Sequence, residues 1–311
     1  TGDPRDFKNI EELKDALKKQ LAYFYRMIKD GYDLMVPYHM LRYPVIFASM
    51  AMKGCVESGK SVQEGGAKYS TAGMFITGSA DSIVAIEDVV YKDHDVTMDQ
   101  LIEALDKNFE GEERLRQLLI NKPPKYGNDN EYVDGVAREM LGYCADLVQS
   151  WEDSRHGHYS FCNLSQTVNI SHGEVCGATP DGRSAGEPVN NGVSPANGSE
   201  RNGATAACNS VAKIPTIYDQ KGNIFNMRLA PSTIANQESR QKILDMMRAL
   251  FDKDAEQIQF NVVDNEVLKE AQKRPEDFPD LMVRVSGYSA LFTSLGVACQ
   301  NDVINRTEVE M

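Results

Sequence analysis

The chain has 311 residues, 41% of them hydrophobic, enough for one large or two medium domains around a substantial core. A formal net charge of -13 and a pI near 4.9 oppose attraction to nucleic acid or to an anionic membrane, since both carry the same sign. No signal peptide or long apolar run is present, so neither secretion nor membrane spanning is indicated and a cytoplasmic location is expected.

The first half is predicted to be mainly helical, over residues 1–159. "FKNIEELKDALKKQLAYFYRMI" repeats its apolar residues at helical spacing. "PVIFASMAMK" fits either a strand or a helix. "SADSIVAIEDVV" offers Ser79 or Asp81 as a cap, "VTMDQLIEALDKNF" offers Thr97, and "NEYVDGVAREMLGYCADLVQSW" is long and amphipathic. Residues 160–311 have a mixed α/β texture, with β-prone runs "FCNLSQTVNI", "IFNMRL", "QIQFNVV" and "LMVRVS" separated by Gly, Pro, Asn and Asp. Between them, residues 177–204 hold six glycines and three prolines, a composition that predicts a long ordered loop or a lid.

Two motifs suggest chemistry and then lose it. "GCVESGKS", Gly54 to Ser61, fits the phosphate-cradling pattern G-x-x-x-x-G-K-[ST]. A working phosphate loop needs a buried strand before it and a helix straight after it, yet Gly65 and Gly66 follow within a turn and interrupt any helix. The six cysteines, Cys55, Cys144, Cys162, Cys176, Cys208 and Cys299, are far apart and show no zinc spacing. They read as buried thiols, with no metal implied.

The C-terminal segment "MVRVSGYSALF", Met282 to Phe292, reads as a buried strand delivering Gly287 to a tight turn. Taken alone, the glycine only permits the turn. The wider run "RVSGYSALFTSLGVACQNDVINRTE" resembles the C-terminal signature of the glycyl radical enzymes, an R-V-x-G-Y segment followed by a short helix and an I-x-R-T run. "EGGAKY", "GATPDGRSAGEPV", "GVSPANG", "NSVAK" and "QFNVVDNEVLKEAQKRPEDFPDLMVRVSGYS" resemble further blocks of that family, in its order.

The resemblance implies an α/β fold, the C-terminal part of a ten-stranded α/β barrel with surrounding helices, in which about 177–311 forms the glycyl radical domain. It implies that Gly287 stores a backbone radical, installed by a radical S-adenosylmethionine activating enzyme, with no permanently bound cofactor. A Cα radical is planar and delocalised into both flanking amides, and only glycine lacks a side chain to oppose that planarity. Arg284 is then a candidate to hold the loop, Ser289 a candidate support, and Tyr288 a packing residue or a guide for the activating enzyme. His156, His158 and His172 could reach a barrel mouth, with surface histidine as the ordinary reading.

Such enzymes relay the radical to a cysteine in an upstream G-C-x-E type motif, and are much longer than this chain. "GCVE" at Gly54 to Glu57 imitates that motif, but its continuation matches a later block. Cys55 therefore reads as a buried thiol, with a thiyl role as the alternative. The expectation is an enzyme portion, starting at Thr1 as a fragment or split subunit, whose partners are the activating enzyme, an upstream half and further copies in a homo-oligomer. The alternative is a spare glycyl radical subunit that repairs another enzyme. C–C cleavage, dehydration or amine elimination, and addition to fumarate remain open as reaction types.

Overall fold

The computed structural model describes residues 1–68, 72–74, 79–153, 155 and 157–309. The long periodic run at the start forms α1 (Ile10–Arg42), whose first turn is capped by the Asn9 side chain accepting from the Glu12 N–H. Two short helices follow, α2 (Ile46–Ala51) and α3 (Cys55–Ser58), and then strand β1 (Ala72–Met74). The ambiguous "PVIFASMAMK" is thus helical at its centre.

Helix α4 (Ala80–Ile86) runs on into a π-helical stretch, Glu87–Lys92. Ser79 stands at its N-cap without a side-chain bond. Asp81 is no cap either, because its carboxylate accepts the Tyr126 N–H at 2.7 Å from across the core. Thr97 does cap α5 (Met98–Asp106), in a reciprocal box with Gln100. Helices α6 (Glu113–Asn121) and α7 (Glu131–Gln149) complete the first half, and α7 is tied to α1 where Lys14 and Lys18 both reach Glu139.

Beyond α7 the chain alternates β2 (Tyr159–Phe161), α8 (Val168–Val175), α9 (Gly203–Ala212), β3 (Asn226–Leu229), α10 (Gln237–Phe251), β4 (Gln259–Asn261) and α11 (Asn265–Lys273). It ends with the strands β5 (Met282–Arg284) and β6 (Ser289–Leu291), helix α12 (Val297–Asn305) and β7 (Glu308–Val309). The run "FCNLSQTVNI" splits: Phe161 ends a strand, whereas "VNI" opens α8. Its β-branched residues express a weak preference that the tertiary setting overrides.

Among the described residues the strands form three small sheets, none closed into a barrel. β1 and β2 pair in parallel, β3 lies between β4 and β7 with both pairings parallel, and β5 and β6 form an antiparallel hairpin. A bridge between Asn163 and Asn223 links the end of β2 to the approach to β3. Parallel strands separated by helices are the α/β pattern, and the β3 side chains are buried throughout. The main core gathers α4, α5, α7, α9, α10 and β3. A separate core of Leu268, Ala271, Val283, Val285, Phe292, Val303 and Ile304 sits beneath the C-terminal hairpin.

Candidate radical site

The hairpin that carries Gly287 is set by side-chain alternation. Val283 and Val285 point into the C-terminal core at 2% and 1% exposure, so the intervening Arg284 faces outward. Register pairs Val283 with Ala290 and Arg284 with Ser289, leaving Ser286 and Gly287 as a two-residue turn closed by the Val285 N–H donating to the Tyr288 carbonyl at 2.9 Å. Gly287 has φ +80°, a value that an L side chain adopts only with strain. A Cβ placed there would lie 3.3 Å from Ile224 Cδ1.

Beneath the turn, polar side chains engage its backbone and its serine. The Ser286 hydroxyl donates to Asn191 Oδ1 at 2.9 Å, and the Gly287 N–H donates to Gln259 Oε1 at 3.0 Å. Asn261 brackets Arg284, accepting its N–H and donating to its carbonyl. The Arg306 guanidinium donates to the carbonyls of Arg284 and Val285 and is neutralised by Asp302 at 3.0 Å. Gly287 itself is exposed on top of this platform.

The other sequence candidates fall at different distances from this centre. Arg284 donates to Ser289 Oγ at 3.1 Å across the hairpin, and Tyr288 is 42% exposed. Cys55 is buried in the first turn of α3, where Gly54 and Gly66 meet backbone to backbone: a Cβ on Gly54 would lie 2.8 Å from the Gly66 carbonyl oxygen. His158 and His172 are exposed, and His156 lies outside the described residues. Cys144 and Cys208 are deeply buried, and burial pushes both thiols up to about 12, so they stay protonated and inert. Cys176 and Cys299 are half-buried rather than fully buried.

The phosphate-loop pattern lacks its supports. Helix α2, not a strand, precedes Gly54, and a single 3-10 turn, Val62–Glu64, follows Ser61. The Ser61 hydroxyl is engaged as that turn's cap.

Next to the hairpin a cleft of 510 Å³ opens between the glycine-rich segment and the end of α12, lined among others by Asn191, Asn226, Arg228 and Arg306. The segment 177–202 carries no helix or strand, and arginines order it by donating to its carbonyls and those of its neighbours. Arg116 reaches Gly182 O, Arg183 reaches Ser184 O and Glu187 O, and Arg201 reaches Ile120 O. Deep acids accompany them. Burial pushes Asp81 up to about 6 and Glu200 up to about 7, while it lowers Lys125.

Sequence reasoning singled out Gly287, Arg284, Tyr288 and Ser289 but gave no role to Asn191, Gln259, Asn261 or Arg306. Gln259 and Asn261 stood in plain view as "QFN", two residues apart and hence on one face of a strand.

Comparison with known proteins identifies the family. Residues 1–173 match the family described as pyruvate formate lyase-like, and residues 189–293 match the family described as glycine radical. The chain is 40% identical to trans-4-hydroxy-L-proline dehydratase of Clostridioides difficile over 99% of its own length and 39% of that protein. The substrate-bound crystal structure of that organism's hydroxyproline dehydratase superposes with a TM-score of 0.95 at 39% identity, covering 100% of this chain and 40% of the other. The glycerol-bound, B12-independent glycerol dehydratase of Clostridium butyricum also gives 0.95, at 36% identity, with the same coverage. The chain thus spans about two fifths of the length of these relatives.

Proposed function

The chain belongs to the pyruvate formate lyase-like glycyl radical enzymes, and from that premise we propose that it is the radical-storing C-terminal portion of an anaerobic lyase, with the radical on Gly287. The observation that carries this reading is the positive-φ glycine on a turn held by the Ser286 hydroxyl on Asn191 and the Gly287 N–H on Gln259.

An activating enzyme of the radical S-adenosylmethionine class supplies a carbon radical that removes one hydrogen atom from Gly287 Cα. The cysteine of the upstream half then returns a hydrogen atom to that carbon and becomes the thiyl that attacks substrate. This chain's own residues hold the turn still: Asn261 and Arg306 fix the strand that leads into it, and Asn191 fixes Ser286. Arg284 and Ser289 support the hairpin from outside.

The upstream half has a surface to meet. Over α1 and α2 an apolar face stands open, with Leu34 79%, Leu41 85% and Phe47 91% exposed. Water contact over so large an apolar area is unfavourable, and the missing three fifths of the family's length is the occupant that fits it. The parallel strands would then complete their barrel with strands from that half.

Elimination from a small hydroxylated substrate is the reaction type we favour, because the dehydratases among the relatives range from 30% up to 40% identity, whereas the isethionate sulfite-lyases stand at 31–32% and an indoleacetate decarboxylase at 30%. An enzyme portion is favoured over a spare repair subunit because residues 1–173 carry a family match well outside the glycine segment. The test is anaerobic activation of the chain joined to its upstream half. A glycyl doublet by electron paramagnetic resonance is expected, absent in Gly287→Ala. A doublet that persists in that variant would place the radical elsewhere.

A further inference from the structure

We propose that Gln259 is a positioning residue for the radical, the acceptor that holds the Gly287 amide in one plane. Its placement follows from strand register. Parallel pairing of β3 with β4 makes Asn226 and Gln259 direct neighbours, and the Gln259 N–H donates to the Phe225 carbonyl at 2.9 Å. The Gln259 side chain is 5% exposed, and both ends of its amide are engaged. Nε2 donates to Asn226 Oδ1, and Oε1 accepts the Gly287 N–H at 3.0 Å. Asn226 is in turn fixed through its own N–H, which donates to Ser194 Oγ at 2.9 Å. A buried amide with both ends in use has one orientation, so the oxygen is fixed toward Gly287.

The other holds on the turn act elsewhere. Asn261 acts at Arg284, Arg306 at the carbonyls of Arg284 and Val285, and Asn191 at the Ser286 hydroxyl. Among the described residues only Gln259 engages the nitrogen bonded to the radical carbon. Loss of a hydrogen atom from Cα leaves an electron shared with that nitrogen and with the following carbonyl. An acceptor on the N–H keeps the nitrogen coplanar with the radical centre and increases its electron donation. Gln259 therefore sets both the lifetime of the radical and its spin density on nitrogen.

This inference rests on Gly287 as the radical site, and its test separates the two. The chain joined to its upstream half is compared as wild type, Gln259→Leu and Gln259→Glu. Leucine removes the acceptor at similar volume. Glutamate keeps an acceptor, and Asn226 Nδ2, which has no partner in the native arrangement, can turn to donate to it. Before activation, hydrogen exchange at the Gly287 amide is expected to rise about five- to tenfold in Gln259→Leu, the factor for one lost hydrogen bond, and to stay near wild type in Gln259→Glu. After activation with 15N-glycine label, Gln259→Leu is expected to show altered nitrogen hyperfine coupling and faster decay, with Gln259→Glu restoring both toward wild type. If Gln259→Leu does not fold, Gln259→Asn, one methylene too short to reach, replaces it. Unchanged exchange and unchanged coupling in a folded variant would overturn the proposal. No glycyl signal in activated wild type would instead overturn the radical assignment, and the exchange measurement would still decide whether Gln259 holds the amide.

Discussion

Asn261 grips the main chain of Arg284 twice, accepting its N–H at 2.7 Å and donating to its carbonyl at 2.6 Å. One side chain thereby supplies the hydrogen bonds that a neighbouring strand would give, and joins β4 to the hairpin. Asn261 is 5% exposed, so its removal strands the Arg284 N–H in a dry site and leaves the Arg284 carbonyl to Arg306 alone. Asn261→Leu is expected to destabilise the C-terminal unit by about 1–3 kcal/mol, the cost of one buried group left unpaired. Limited proteolysis should cut first near residues 284–289. Native resistance there in the folded variant would show that the C-terminal core alone secures the hairpin.

The strand and turn that carry Gly287 were readable from sequence because their determinants are local, whereas the return strand β6 was not. Val283 and Val285 alternate with outward residues, and a glycine stands where φ must be positive. The long helix was readable for the same reason, since periodicity and the Asn9 cap both lie within one segment. Gln259 was not readable. Its role depends on a partner 28 residues away at Gly287 and another 33 residues away at Asn226, brought together only by a parallel pairing. Asp81 illustrates the same limit: a residue type that suits a cap was drawn instead to the Tyr126 amide, 45 residues on.

Oxygen provides a chemical map of the radical. A radical at an exposed Cα adds dioxygen and the backbone breaks there, so aerating the activated enzyme should release the tail 287–311, detectable by mass spectrometry. Gly287→Ala should give no such fragment. The variant is expected to fold, because an alanine at φ +80° costs about 1–2 kcal/mol and its Cβ meets the terminal carbon of Ile224, at 3.3 Å, rather than backbone. Intact chains after complete loss of the signal would argue for a different radical site.

Stability should fall as pH rises from about 4 to about 7. Asp219 is fully buried, accepting from Asn163 at 2.8 Å and Asn223 at 3.3 Å, and burial pushes it from 3.8 up to about 7. Over that window the native state keeps a proton that the unfolded chain releases. The advantage is therefore complete below the unfolded value and gone above the folded one. Three units correspond to at most about 4 kcal/mol. Urea midpoints at pH 4.5 and 7.5 should differ in the wild type, and differ less in Asp219→Asn, which removes one of the three raised acids. An equal slope in that variant would transfer the effect to Glu200 and Asp81, also raised by burial.

Cys55 tests whether this chain holds both members of the radical relay. Cys55 is 3% exposed in the first turn of α3, and the neighbouring Gly54 permits a close backbone crossing with Gly66. A relay thiol has to approach Gly287 within a few ångströms of contact, and under the proposed function that thiol belongs to the upstream half. The isolated chain is therefore expected to be inactive, and adding the upstream half to restore turnover. Cys55→Ser keeps the shape of the side chain and removes the sulfur, so it is expected to cost some stability, through a buried hydroxyl, while turnover per folded complex stays nearly unchanged. Turnover measured beside the intensity of the Gly287 signal separates relay from folding. A folded Cys55→Ser complex that still forms the glycyl radical yet converts no substrate would make Cys55 the thiyl residue, and this chain the bearer of both radicals.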